Sequence, residues 1–256
     1  MKGAAIAVLI GFVVPVTAAA QSAATMAAGI ASKSPHPSTA AVTAASAILP
    51  GAGQAMMHQR RGAVYLALEA AGIAYYISQD RDGNRQRRKY RSLSRNVARA
   101  ELSPAGPDGS WDYYERMEKY VASGAYDRVA GGDIDPELDV ETFNGAMWLL
   151  ARQTFWRDPE VSPSPLSEEY RLALSFYLER AAKPEFLWSW SSNAAAFQSY
   201  RAAIAGSNTA FRNAEQTVSL LLANHFLSAI DAFASIRMRV RRDGAGTTTL
   251  SASLPF

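Results

Sequence analysis

The apolar residues of this chain gather into two blocks that bracket a long polar middle, and that arrangement limits the folds open to it. The first block covers residues 40–79 and the second residues 216–236. As a helix, 62–79 would be roughly 27 Å long at about 1.5 Å per residue, close to the roughly 30 Å of a bilayer's hydrocarbon. Arg60 and Arg61 stand at one end and Tyr75 and Tyr76 near the other, where interfacial anchors belong. The second block is also long enough to cross a bilayer. The alternative for both is a helix buried in a soluble domain.

Each block carries a polar stripe. At about 100° per residue, Thr217, Asn224, Ser228, Asp231 and Ser235 fall on one side of 216–236, with Leu, Ile and Phe opposite. On 62–79 the matching side holds Gly62, Tyr65, Glu69, Ile73 and Tyr76, and Glu69 is the only charge in the segment. Inside a membrane such groups must face another helix or a wet cavity. The Glu69 stripe is therefore expected to pack on the Asn224/Asp231 stripe, with Asn224 or His225 supplying hydrogen bonds. In water, the same pattern is the solvated side of an amphipathic helix. Ahead of residue 62, Pro50, Gly51 and Gly53 break the first block into a short helix, a glycine turn and a second helix.

The N-terminus reads as an address. Lys2, an apolar run over 4–16 and Ala18-Ala19-Ala20 have the layout of a secretory signal cleaved after residue 20. Residues 21–39 are rich in Ala, Ser and Pro, with no core-forming pattern, and read as a flexible linker. The expected location is a bacterial cell envelope, membrane-associated at the inner membrane, with the periplasm as the alternative.

After residue 79 the chain turns strongly basic, with Arg81, Arg85, Arg87, Arg88, Lys89, Arg91, Arg95 and Arg99 in one run. Tyr90, Leu93 and Val97 recur at helical spacing, so the run is predicted to continue the helix of 62–79. Nucleic acid could bind such a run. Directly after an apolar helix, anionic lipid headgroups are the more economical partner, with Arg81, Arg85, Arg87, Arg88, Lys89 and Arg91 as the contacts, and the plain alternative is a solvated helical face, the usual role of a charge run. No nucleic-acid partner is expected. The remainder of 80–215 is predicted to be a polar helical domain, with helices over 111–124, 138–157 and 168–182, a loop at 103–109, and a stretch at 186–206 that holds Trp188 and Trp190. The end of the chain is predicted to be basic and then extended, since Leu250, Ala252, Leu254 and Phe256 alternate with period two.

The chemistry is thin. Zero cysteine removes disulfides, thiolates and iron–sulfur ligation, and the histidines are only His36, His58 and His225. No metal-ligand spacing, nucleophile elbow, phosphate loop or dinucleotide fingerprint occurs. Asp133, Asp135, Glu137, Asp139 and Glu141 alternate but lack the glycine and bidentate spacing of a calcium loop, so they read as a solvated loop. Trp148, Trp156, Trp188 and Trp190 suit a hydrophobic core or, alternatively, a ligand cleft. Asp231 and His225 would be the only candidates for a catalytic pair. The expectation is a non-catalytic protein with neither cofactor nor metal.

The run Ser46-Ala47-Ile48-Leu49-Pro50-Gly51-Ala52-Gly53-Gln54 resembles the SxLLPGxGQ turn of an uncharacterised bacterial envelope family, the domain-of-unknown-function family numbered 5683. Arg212-Asn213, the apolar helix over 220–235 and Ile230-Asp231-Ala232 resemble that family's C-terminal block. The likeness covers about ninety residues in two blocks. It departs where Met56-Met57-His58-Gln59-Arg60-Arg61 replace the family's usual Tyr-Asn and Trp-Lys. The resemblance implies one membrane-associated unit built from both apolar blocks, and it carries no activity.

The fold class expected is all-α: a membrane-associated helical hairpin plus a C-terminal apolar helix, an inserted helical domain over 80–215, and a short extended tail over 237–256. The function expected is a scaffold or anchor touching membrane lipid and an unidentified envelope protein. The alternative is a soluble periplasmic binding module with a tryptophan-lined cleft.

Overall fold

The computed structural model describes residues 38–129 and 131–244. The signal-like segment, most of the linker and the alternating end after residue 244 lie outside those residues. The described chain is all-α, and its contacts divide it into two units. One combines Met1–Ser78 with Asn213–Phe256; the other is Gln79–Arg212. The sequence places these boundaries at 80 and 215.

In the first unit, α1 spans Thr39–Ile48 and starts where the Ser38 hydroxyl accepts from the Ala41 amide at 3.2 Å. Gly51 follows with φ of 91°, a left-handed value that favours glycine. A second, five-residue helix, α2 (Ala52–Met56), then forms inside the motif. Gly53 lies within it, so the expected break at Gly53 does not occur. Its lack of a side chain serves close packing instead: a Cβ there would sit 2.3 Å from the Val42 carbonyl oxygen.

Helix α2 closes at His58, whose φ of 55° is the left-handed residue of a Schellman-type ending. The Gln59 amide donates to the Gln54 carbonyl at 2.8 Å and the His58 amide to the Ala55 carbonyl at 2.9 Å. A left-handed conformation is unfavourable for a residue with a Cβ. His58→Gly is expected to stabilise the unit by about 0.5–1 kcal/mol in chemical unfolding; a destabilised variant would show that the exposed imidazole matters more than the backbone.

Helix α3 runs Gly62–Leu93 and α7 runs Ala194–Gly244. Within the first unit they are antiparallel, with Arg61 near Asp231, Glu69 facing Asn224, and Gly72 against Leu221. The facing positions are spaced three and four residues apart: Gly62, Tyr65, Glu69, Gly72, Tyr76 on α3 and Thr217, Leu221, Asn224, Ser228, Asp231, Ser235 on α7. That is the heptad spacing of a two-helix seam. Ile73 belongs to the outward side instead, and Gly72 takes its expected place.

Among the described residues, one helix is long and apolar enough to cross a membrane, Ala194–Met238 of α7. The segment 62–79 is not; Glu69, Gln79 and its three tyrosines dilute its apolar character. Helix α7 also corrects two sequence expectations. The segment 216–236, expected as a helix of its own, is part of one helix that starts at Ala194, and residues 237–244, expected as the basic start of an extended tail, continue it. No proline interrupts 194–244, so nothing in the backbone required a break.

In the second unit, α3 ends in a π-helical turn, Ser94–Ala98. Then come α4 (Trp111–Lys119), α5 (Phe143–Phe155), α6 (Glu168–Arg180) and the start of α7. Ser110, Thr142 and Ser167 each accept an amide at the start of α4, α5 and α6. Two aromatic cores form. Tyr90, Tyr113, Tyr114, Phe143, Trp188 and Trp190 build one; Trp148, Trp156 and Tyr177 centre the other. Irregular chain at 121–125 pairs with that at 187–191 through Ser123 N–H to the Trp188 carbonyl (2.9 Å) and Trp190 N–H to the Val121 carbonyl (2.8 Å). Buried Asn144 binds both the amide and the carbonyl of Ala182.

Candidate functional site

The motif Pro50-Gly51-Ala52-Gly53-Gln54 becomes the centre of a buried polar cluster. Pro50 is buried as α1 ends, and the turn aims two amides inward. The Gly51 amide donates to Ser228 Oγ at 2.7 Å, and the Gly53 amide to Ser46 Oγ at 2.9 Å. Gln54 is fully buried. Its Nε2 donates to the Ser228 carbonyl at 2.9 Å and to Asp231 Oδ2 at 2.8 Å, while its Oε1 accepts from Ser46 Oγ at 2.9 Å. Every hydrogen-bonding atom of a side chain costly to bury is thus satisfied. The other Asp231 oxygen meets Arg61 Nη1 at 3.1 Å, and Arg61 also reaches Ser235.

A second layer surrounds Glu69. Asn224 Nδ2 donates to Glu69 Oε2 at 3.1 Å and to the Tyr65 carbonyl at 3.0 Å. His225 Nε2 lies 3.1 Å from Glu69 Oε1, and its Nδ1 lies 2.7 Å from the Ala47 carbonyl oxygen. The structure therefore brings together Gly51, Gly53, Gln54 and Asp231 in one layer and Glu69, Asn224 and His225 in the other. Sequence reasoning missed Arg61 as the partner of Asp231 and the Ala47 carbonyl as that of His225. A charge opening α3 opposite a lone acid on α7 was the available signal for Arg61; a backbone carbonyl leaves none. The arrangement ties α1, α2, α3, α7 and the glycine turn together by hydrogen bonds and the Arg61–Asp231 ion pair. Among the described residues, no group of three His, Asp or Glu side chains could hold a metal ion.

The basic run divides in use. Arg99 is buried and donates to Ser103 Oγ and to the carbonyls of Pro107 and Glu185. Arg91 and Arg95 pair with Asp108, Arg85 pairs with Asp82, and Arg87 lies 4.5 Å over the Phe211 ring. Arg81, Arg88 and Lys89 are exposed and form no ion pair among the described residues.

The acidic loop mostly organises itself. Glu137 accepts from the amides of Ala125, Leu138 and Asp139, and Arg128 pairs with Asp135. Burial works to raise Glu137's pKa, but those three amides and the Arg128 charge outweigh it and hold the carboxyl below its ordinary value. Trp148, Trp156, Trp188 and Trp190 are all buried in the two cores.

No protein-family model, curated protein or solved structure matches the chain.

Proposed function

We propose that this chain is a non-catalytic membrane anchor of a bacterial cell envelope, embedded through its first unit and carrying the second as a helical module for an envelope partner. The observation that supports this most is the inverted polarity of the first unit. Ser46, Gln54, Glu69, Thr217, Asn224, Ser228 and Ser235 are buried, while Val64, Leu66, Leu68, Leu220, Leu227 and Ile230 face outward. Leu220 and Phe226 are 70% and 69% exposed. A water-soluble protein buries its large apolar side chains and seldom leaves so many exposed along neighbouring helices. In lipid the preference reverses, and hydrogen-bonded polar groups belong between helices. The signal-like N-terminus and the PGxGQ resemblance support export and the envelope assignment. The rival ligand cleft would need accessible tryptophans, whereas these four are at most 8% exposed.

Fractionation of expressing bacteria with an alkaline carbonate wash tests the reading. The mature protein is expected to stay with the membranes. Release as a soluble species would overturn the anchor and favour the periplasmic module.

A further inference from the structure

We propose that the outward basic side of α3, carried by Arg81, Arg88 and Lys89, binds the headgroups of anionic phospholipids; this rests on the anchor reading. The inference starts from which cations are spare. Of the eight basic residues in 81–99, five are occupied by carboxylates, a ring or backbone carbonyls. Arg81, Arg88 and Lys89 are the three left exposed with no ion pair among the described residues.

They also share a side of the helix. At about 100° per residue, Arg88 falls about 20° from Arg81 and Lys89 about 80° from it. Gly83, Gln86 and Tyr90 point the opposite way, against Phe211, Gly206 and Tyr200. Counted back in the sequence at the same spacing, the positions in line with Arg81 are Ala63, Ala67, Ala70 and Ala74, each exposed in the first unit, with exposed Leu66 beside them. By helical spacing along the sequence, the positions in line with Arg81 are thus apolar up to Ala74 and cationic from Arg81.

That gradient suits an anionic interface. Long cationic side chains lay their stems along apolar surface and lift their charges to the headgroups. A basic cluster immediately beside a membrane-embedded segment gains from each anionic lipid nearby. A nucleic acid would use the charges but leave the adjoining apolar side exposed to water.

The test uses the full mature chain reconstituted in phosphatidylcholine vesicles that contain spin-labelled phosphatidylglycerol or, separately, spin-labelled phosphatidylcholine. The quantity read is the association of each labelled lipid with the protein. Wild type is expected to prefer phosphatidylglycerol roughly fivefold, about the effect of one well-placed basic residue. The preference should shrink as salt rises, and should approach onefold in R81Q/R88Q/K89Q. Should that triple variant misfold by circular dichroism, the single variants R81Q, R88Q and K89Q are read in its place, each expected to lower the preference, and three unchanged preferences overturn the site. Protein that enters the vesicles without preferring phosphatidylglycerol overturns the headgroup site and leaves the anchor standing. Failure to enter the vesicles overturns both. Tighter, salt-sensitive binding to an RNA oligonucleotide than to the anionic lipid, lost in the triple variant, would reassign the surface.

Discussion

Gln54→Leu is expected to destabilise the first unit by about 3–5 kcal/mol, the largest effect of any single change around the motif. Leucine nearly matches glutamine in size, so the loss is one of hydrogen bonds rather than volume. It takes Gln54 away from Ser46 Oγ and the Ser228 carbonyl, both on fully buried residues, and from the partly exposed Asp231 Oδ2. An unmet buried polar group costs about 1–3 kcal/mol, and the three groups are coupled, so the sum falls short of three independent losses. Hydrocarbon outside the unit offers these groups no replacement, which keeps the penalty high in lipid. Chemical unfolding in a mild neutral detergent measures it, with Gln216→Leu at an exposed position of α7 as the comparison. Equal midpoints for the two variants would show that the motif's glutamine is dispensable to the fold.

The seam that Gln54 closes was legible where one side chain differs sharply from its neighbours. Glu69 is a lone charge in an apolar segment, and Asn224 and Asp231 break an apolar run at helical spacing, so the two stripes had few other places to go. The PGxGQ residues were legible as a break but not as an assembly. Gly53's role depends on the Val42 carbonyl, which passes close by only once α1 and α2 have folded back. The length of α7 was hidden for a different reason. Its composition shifts from small and polar near Ser207 to apolar near Leu220, and such a shift can occur within one unbroken helix, so an apolar run alone does not give that helix's ends. Arg99 shows the limit of charge counting. It sits in the basic run like its neighbours, yet it is buried by the carbonyl of Glu185, a residue 86 positions away in the chain. No periodicity within 81–99 marks it out.

The same contrast between local pattern and distant partner decides what the tryptophans do, and Trp188→Ala is the change that tests it. Trp188 is fully buried, meets Tyr113 edge-on with ring centroids 5.6 Å apart, and lies 5.8 Å from the Phe143 ring. Its indole Nε1 donates to the Tyr120 carbonyl at 3.1 Å, and its backbone amide to Ser123 Oγ. Alanine would leave a cavity and an unpaired carbonyl, for an expected loss of about 3–5 kcal/mol. Leu166→Ala, at a side chain 88% exposed, should change stability by less than about 0.5 kcal/mol. The functional division of the chain predicts more than the number. Since none of the first unit's polar cluster involves Trp188, W188A should still resist carbonate extraction while limited proteolysis cuts within Gln79–Arg212 far faster than in wild type. A cleft lined by Trp188 would give the opposite pattern, with protease resistance kept and only ligand binding lost. If the variant instead leaves the membrane, the anchor does not reside in the first unit alone, and the assignment of lipid contact to α3 and α7 would fall with it.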